Sequence, residues 1–350
     1  LSNERYPQEL EAEVEANLAK LEQTIGPKFG DEEKPLLISV RSGARVSMPG
    51  MMDTILNLGL NDSSVLRMAR KTEDARFTYD NYRRFIQMYG NVVMGVEEGT
   101  LEEVVQRKKS ERGVSLDAEL TMEDLKDLAD RLRAKIEEIT GRDFPFNPKE
   151  QLWGAISAVF KSWSNPRAVA YREINKIPHD WGTAVTVQAM VFGNVGDNSG
   201  TGVAFSRDPA TGEKELVGEF LVNAQGEDIV AGLRTPQSIN DLKQFLPQCY
   251  NELVDVSQRL EWHFRDMQDI EFTIQNGKLW ILQTRTGKRT AQAAIKIAMD
   301  MVREKLIDGT EAFMRIDPGE IEQILHPAID PNAEKEIIAK GLPASPGAAS

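Results

Sequence analysis

The chain has 350 residues and carries 42 Lys and Arg against 55 Asp and Glu, a net charge of −13. That length supports two or three packed subdomains, and that charge repels nucleic acid, so any phosphate site must be a local cationic focus on an acidic surface. The single cysteine, Cys249, excludes a disulfide framework and a cysteine-based zinc site and points to a reducing compartment. No apolar run approaches the roughly 18 residues needed to span a membrane.

Residues 7–25 place Leu10, Val14, Leu18, Leu21 and Ile25 at helical spacing and stop at Gly26-Pro27, which predicts an amphipathic helix. Residues 35–40 read as a short buried strand that delivers Arg41 at its end. A loop rich in Gly and Ser follows at 42–50, then a helix from about Asp53. From 62 to 148 the pattern is helical and strongly charged. Within it Thr121 caps a helix with apolar positions Leu125, Leu128, Leu132, Ile136 and Ile139 and an exit at Gly141. Residues 150–163 form a further helix, and Asn165-Pro166 starts the next. After Gly182 the character changes to strands at 183–192, 203–206 and 215–223, with a glycine-rich connection at 193–202 and a turn at 208–212. Helices are expected again at 291–306 and 317–325. The tail from Gly341 reads as a linker or as the start of a further domain.

The most informative stretch is Asp269-Ile-Glu-Phe-Thr-Ile-Gln-Asn-Gly-Lys-Leu-Trp-Ile-Leu-Gln-Thr-Arg285, a hairpin broken at Asn276-Gly277. A two-residue turn would pair Ile274 with Leu279 and set Asp269 and Glu271 on the face opposite Gln283 and Arg285. A three-residue loop of Gln275, Asn276 and Gly277 shifts the parity by one. Asp269, Glu271, Gln283 and Arg285 then share one face, and Ile270, Phe272, Ile274, Trp280 and Leu282 the other. The cleaner apolar face favours the longer loop. Carboxylate and amide oxygens suit Mg²⁺, and arginine suits a phosphate beside it; the bland alternative is a solvated face with a chance salt bridge.

Familiar nucleotide motifs are absent: there is no G-x-x-x-x-G-K-[ST] loop, no G-x-G-x-x-G after a strand and no kinase catalytic loop. Arg41 and Arg45, beside the backbone N–H groups freed by Gly43 and Gly50, could form an anion-binding concavity or be ordinary solvated arginines. Glu227 lies in a glycine-flanked turn and reads equally as a surface acid. His179, His263 and His326 have no metal-ligand spacing, and Cys249 reads as a packed residue. Met48, Met51 and Met52 could be core or adaptable contacts around a base.

The run Ser39-Val-Arg-Ser-Gly-Ala-Arg-Val-Ser-Met-Pro-Gly-Met-Met-Asp-Thr-Ile-Leu-Asn-Leu-Gly-Leu-Asn-Asp62 resembles the nucleotide-binding portion of the pyruvate, phosphate dikinase family. So do Tyr82-Arg-Arg-Phe-Ile-Gln-Met-Tyr89, Ser199-Gly-Thr-Gly-Val-Ala-Phe205, Asn223-Ala-Gln-Gly-Glu-Asp-Ile-Val-Ala-Gly232 and Leu282-Gln-Thr-Arg-Thr-Gly-Lys-Arg-Thr290. The likeness extends over essentially the whole chain. It implies an α+β, ATP-grasp fold with a helical insertion, its two lobes holding ATP. The first lobe would comprise 1–61 plus 149–188, the insertion 62–148, the second lobe 189–290 and a helical linker 291–340, with 341–350 opening a phosphohistidine domain.

The resemblance further implies that Arg41 contacts ATP phosphates. Gln188, Met190 and Val191 would line the adenine, and Glu227 would approach the ribose. Asp269, Glu271 and Gln283 would lie at Mg²⁺ and the phosphates, with Arg285 on the transferring groups. The implied partners are ATP, inorganic phosphate and the enzyme's own phosphohistidine domain, in a homo-oligomer of cytoplasmic or, in a eukaryote, organellar location. Neither nucleic acid nor membrane is expected as a partner. The family's lysine-bearing glycine segment would precede Leu1, and the swinging and pyruvate-binding domains would follow the chain. No histidine here sits in the family's acceptor motif, so this stretch alone is not expected to turn over. A phosphoenolpyruvate synthase, with water as acceptor, is the nearest rival, but residues 44–52 and the block at 62–148 resemble the dikinase. A non-catalytic nucleotide module is the other, and Arg41, Glu271, Gln283 and Arg285 together argue against it.

Overall fold

The computed structural model describes residues 6–321 apart from 8, 32–33, 49, 73, 231–233 and 320, and divides the chain into two units, Leu1–Met190 and Val191–Ser350. In chain order, the first unit contains α1 (Leu10–Ile25), β1 (Lys28–Phe29), β2 (Pro35–Leu36), β3 (Ile38–Ala44) and β4 (Thr54–Leu58). It continues with α2 (Asp62–Thr72), α3 (Ala75–Val92), α4 (Glu98–Arg112), α5 (Met122–Thr140), α6 (Pro148–Ser162), α7 (Pro166–Ile174) and β5 (Thr183–Ala189). The second unit contains β6 (Gly200–Phe205), β7 (Val217–Val222), α8 (Gly226–Val230), β8 (Gln237–Ser238), α9 (Ile239–Phe245) and α10 (Pro247–Phe264). It closes with β9 (Gln268–Gln275), β10 (Lys278–Thr286), α11 (Ala291–Arg303) and α12 (Gly309–Met314). This is the expected mixture of helix and sheet.

β3 is the centre of an antiparallel sheet ordered β4-β3-β5, and its Ile38 and Val40 are fully buried. Two expectations fail here. The strand runs past Arg41 to Ala44, because Arg41, Ser42 and Gly43 pair with Thr186, Val185 and Ala184 of β5. No helix begins at Asp53. Residues 54–58 form β4 instead, with Thr54 opposite Arg41 and Leu58 opposite Ile38, which buries Ile55 and Leu58 completely. The Asp53 carboxylate is held by Asn165 and Arg167. A ladder formed with a distant strand overrode the local helix signal.

The charged block is helical as expected. Thr121 caps α5 in a reciprocal box with Asp124, and Gly141 closes it at φ 65°. Leu125, Leu128, Leu132 and Ile136 are buried, whereas Ile139 is exposed. Inside this block Arg83 donates to Asp80 at 2.6 Å and to Asp117 at 2.8 Å, so its buried charge is matched.

The second unit is a sheet ordered β10-β9-β6-β7-β8, antiparallel throughout. One face packs Ala204, Phe220, Ile270, Phe272, Ile274 and Leu279 against Leu242 of α9 and Cys249 and Leu253 of α10. α11 and α12 build a second cluster around Met267, Ile297 and Met301, with Phe205 against it. The α12 helix had no counterpart in the sequence reading; Asp308 caps it by accepting from the Glu311 N–H at 2.7 Å. The expected helix at 317–325 falls mostly outside the described residues, as do His326 and the tail from 341 wholly. Among the described residues no helix is long and apolar enough to cross a membrane.

Candidate functional site

The hairpin turns in two residues, not three. Asn276 and Gly277 both adopt left-handed φ values, 52° and 73°, the combination that matches the twist of paired strands. The tip is pinned: Ser199 Oγ accepts from the Asn276 N–H at 3.0 Å, and the Asn198 carbonyl accepts from the Gly277 N–H at 2.8 Å. Lys278 therefore pairs with Gln275 and Leu279 with Ile274, the register disfavoured on sequence. Yet Glu271 still stands opposite Gln283, and Asp269 opposite Arg285, because the ladder slips by one residue between Ile281 and Gln283. A bulge at Leu282 restores the parity that a longer loop would have supplied. The four polar residues share a face, but the apolar face is Ile270, Phe272 and Ile274 with Leu279 and Ile281. Trp280 stands opposite Thr273 and is exposed, and Leu282 is the bulge residue.

Sheet order extends that face into two cross-strand rows. One runs Glu219, Val203, Glu271, Gln283 and the other Val217, Phe205, Asp269, Arg285. Arg285 Nη2 donates to Glu271 Oε1 at 2.6 Å and lies 3.4 Å from Asp269 Oδ2, all three side chains being about a fifth exposed. Burial raises the Asp269 carboxyl above the ordinary carboxylate range, outweighing the pull of Arg285, and Glu271 adds to the rise by repulsion. Among the described residues Arg285 Nε is buried and makes no hydrogen bond.

These residues fit a magnesium ion. Mg²⁺ is commonly bound by one or two carboxylates with phosphate oxygens and water rather than by an all-protein cage. Asp269 and Glu271 with the Gln283 amide oxygen are such a set, and among the described residues no group of three or more His, Cys, Asp or Glu offers a richer one.

In the first unit Arg41 lies mid-strand, and its Nη1 approaches Gln188 Oε1 at 3.5 Å across the β3–β5 pair. The contact is diagonal, since Gln188 stands opposite Ser39. β5 ends at Ala189; Met190 donates its N–H to the Leu37 carbonyl at 2.9 Å, and Val191 begins the second unit. Glu227 lies in α8 rather than in a turn, and its side chain is outside the described residues. Cys249 is packed as expected, donating to the Gly277 carbonyl with burial raising its thiol. His179 accepts from Arg172, and the His263 ring sits edge-on to Phe264. The sequence reading did not find Phe205 and Val203 beside the carboxylates, because no local pattern announces which strand will lie next to β9.

A family model described as the AMP/ATP-binding domain of pyruvate phosphate dikinase matches residues 1–246 and 240–306. The chain is 56% identical to a pyruvate, phosphate dikinase of Rhizobium meliloti over 98% of its length and 56% identical to that of Clostridium symbiosum over all of it. It is 52% identical to the chloroplastic pyruvate, phosphate dikinase 1 of Arabidopsis thaliana, again over the whole chain. It spans 40% of the two bacterial relatives and 36% of the plant one.

Proposed function

This chain belongs to the pyruvate, phosphate dikinase family, and from that premise we propose that it is the ATP-binding part of a dikinase with an ATP-grasp fold. The whole protein would convert ATP, inorganic phosphate and pyruvate into AMP, pyrophosphate and phosphoenolpyruvate. A histidine on a separate domain would attack the β-phosphate of ATP. Residues 1–61 with 149–188 serve as the first lobe in this reading, 62–148 as a helical insertion, 189–290 as the second lobe and 291–340 as a linker.

The observation that carries the reading is the shared face of β9 and β10, on which the Arg285 Nη2 is held by Glu271 and Asp269 beside Gln283. Phosphoryl transfer spreads charge over phosphate oxygens, so catalysis rests on positioned cations more than on covalent chemistry. The two carboxylates hold the Arg285 guanidinium, whose planar fork can grip two phosphate oxygens at once. Asp269, Glu271 and Gln283 would hold Mg²⁺, which when bound neutralises phosphate charge. Arg41 would contact the phosphates, Gln188, Met190 and Val191 the adenine, and Glu227 the ribose.

The test is transfer of label from ATP carrying it at the β-phosphate to a histidine of the full-length protein. Wild type should label in a Mg²⁺-dependent way and release pyrophosphate on adding inorganic phosphate. Glu271→Gln should slow labelling by about 10²–10³-fold. Unaltered labelling in that variant, or labelling that survives chelation of Mg²⁺, would refute the site.

A further inference from the structure

Arg172, on α7, is 2% exposed, and its guanidinium lies 4.0 Å from the centre of the Trp163 ring. Nη1 donates to the Trp163 carbonyl at 2.6 Å and Nε to His179 Nδ1 at 3.1 Å. Among the described residues it forms no ion pair; Glu173, its exposed neighbour, acts only at longer range. A buried cation without an anion is costly, and an apolar side chain of similar volume would fill the space with less penalty. What arginine adds is a planar fork that stacks and donates at the same time.

The group it fixes is Trp163. That indole also donates Nε1–H to the His179 carbonyl at 2.9 Å and packs with Met48, Ala168 and Ile177. Met48 is the only buried side chain among the described residues of 42–52: Arg45, Val46 and Gly50 are exposed, and Ser47, Met51 and Met52 are half-buried. The far end of this turn has its own hold, where Ser162 Oγ accepts from the Asp53 N–H at 3.2 Å and Arg167 donates to the Met51 carbonyl at 3.2 Å. Its near end is held where Ala44 pairs with Thr183 and the Arg45 guanidinium lies 4.7 Å over the Trp181 ring, and between the two ends Met48 is seated in the Trp163 cluster, with Met51 and Met52 packed against it.

We propose that Arg172 is a positioning residue for the turn at 45–52: by clamping Trp163 it fixes the seat of Met48, and with it the backbone N–H groups that follow Arg41 and β3. The functional half rests on the reading of that turn as a phosphate-binding segment; the mechanical half does not.

The experiment compares Arg172→Met, Arg172→Lys and Trp163→Phe in the full-length protein, with circular dichroism as the check on folding. Without nucleotide, amides of 45–48 and 50–52 should exchange with solvent at least about tenfold faster in both Arg172 variants, while those of β6 and β9 stay as in wild type. KM for ATP should rise by about the same factor with kcat changed less than about twofold. Trp163→Phe should behave likewise, and its combination with Arg172→Met should be no worse than the more severe single change, since both act through one seat. Should Arg172→Met prove too unstable to isolate, Trp163→Phe carries the same readouts. Unchanged exchange at 45–52 overturns the proposal, and so does rescue by lysine, which would reduce the role to charge alone. Unchanged KM in a protein whose turn amides ATP does protect overturns it too. Faster exchange where ATP gives wild type no protection supports the clamp and refutes only the phosphate reading of the turn.

Discussion

Replacing Arg207 tests how the second unit keeps its site strands in place. Arg207 lies two residues beyond the end of β6 and is fully buried; Nη2 and Nε reach the Glu261 carboxylate at 2.7 and 3.1 Å, and Nη2 reaches Glu304 at 2.9 Å. Ser206 donates to the same Glu261 carboxylate at 2.8 Å. The cluster ties the end of the strand bearing Val203 and Phe205 to α10 and to the exit of α11. Arg207→Met leaves Glu261, about 6% exposed, with one hydroxyl as its described partner, and stranding a buried carboxylate costs about 3–5 kcal/mol. The double change Arg207→Met with Glu261→Leu removes both charges, and should return stability to within about 1 kcal/mol of wild type because an apolar replacement of a buried pair is often neutral. Cys249, buried in this unit and the only cysteine, provides the assay: its labelling by a thiol reagent across a urea series reports opening of the second unit. Acidification adds a sign. Arg207 and Lys214 hold the Glu304 carboxyl below its ordinary value despite burial, so its contribution is present above the unfolded value and is lost as pH falls through the lowered one. The gap between wild type and Arg207→Met should therefore narrow in acid. A loss below about 1 kcal/mol for Arg207→Met, or a double variant as weak as the sum of the singles, would refute the account.

Arg285→Lys in the full-length protein should cut ATP-dependent histidine labelling by at least about a hundredfold, since lysine keeps the charge but loses the fork. Labelling of the same histidine from phosphoenolpyruvate should be nearly untouched; single-turnover assays of both steps decide it. Gly202→Ala should destabilise the second unit by about 1–3 kcal/mol in the same thiol assay, because the new Cβ would lie 2.3 Å from the Phe272 ring and 2.7 Å from the Glu219 carbonyl. Gly277→Ala, at φ 73° with open space around it, should cost only about 1 kcal/mol, seen as a small shift in the urea midpoint.

Several parts of this protein were legible locally. Thr121 with Asp124 and Gly141 fixed both ends of α5, Asn276-Gly277 fixed the place of the hairpin, and alternation marked Asp269 and Glu271 as one polar row of β9. Capping, turn and alternation rules act over a few neighbouring residues, so a single chain displays them. What the sequence could not supply was every relation between distant segments. Residues 54–58 became a strand because β3 offered them a ladder, and Leu282 became a bulge where β10 met β9. The shared face of Glu271 and Gln283 was anticipated through the wrong device, since a turn residue and a bulge residue shift parity equally and only pairing shows which is used. Arg207 with Glu261 and Arg172 with Trp163 show the same limit. Their sequence separations, 54 and 9 residues, carry no periodic signal, and burial together with shape decided those contacts once the elements had packed.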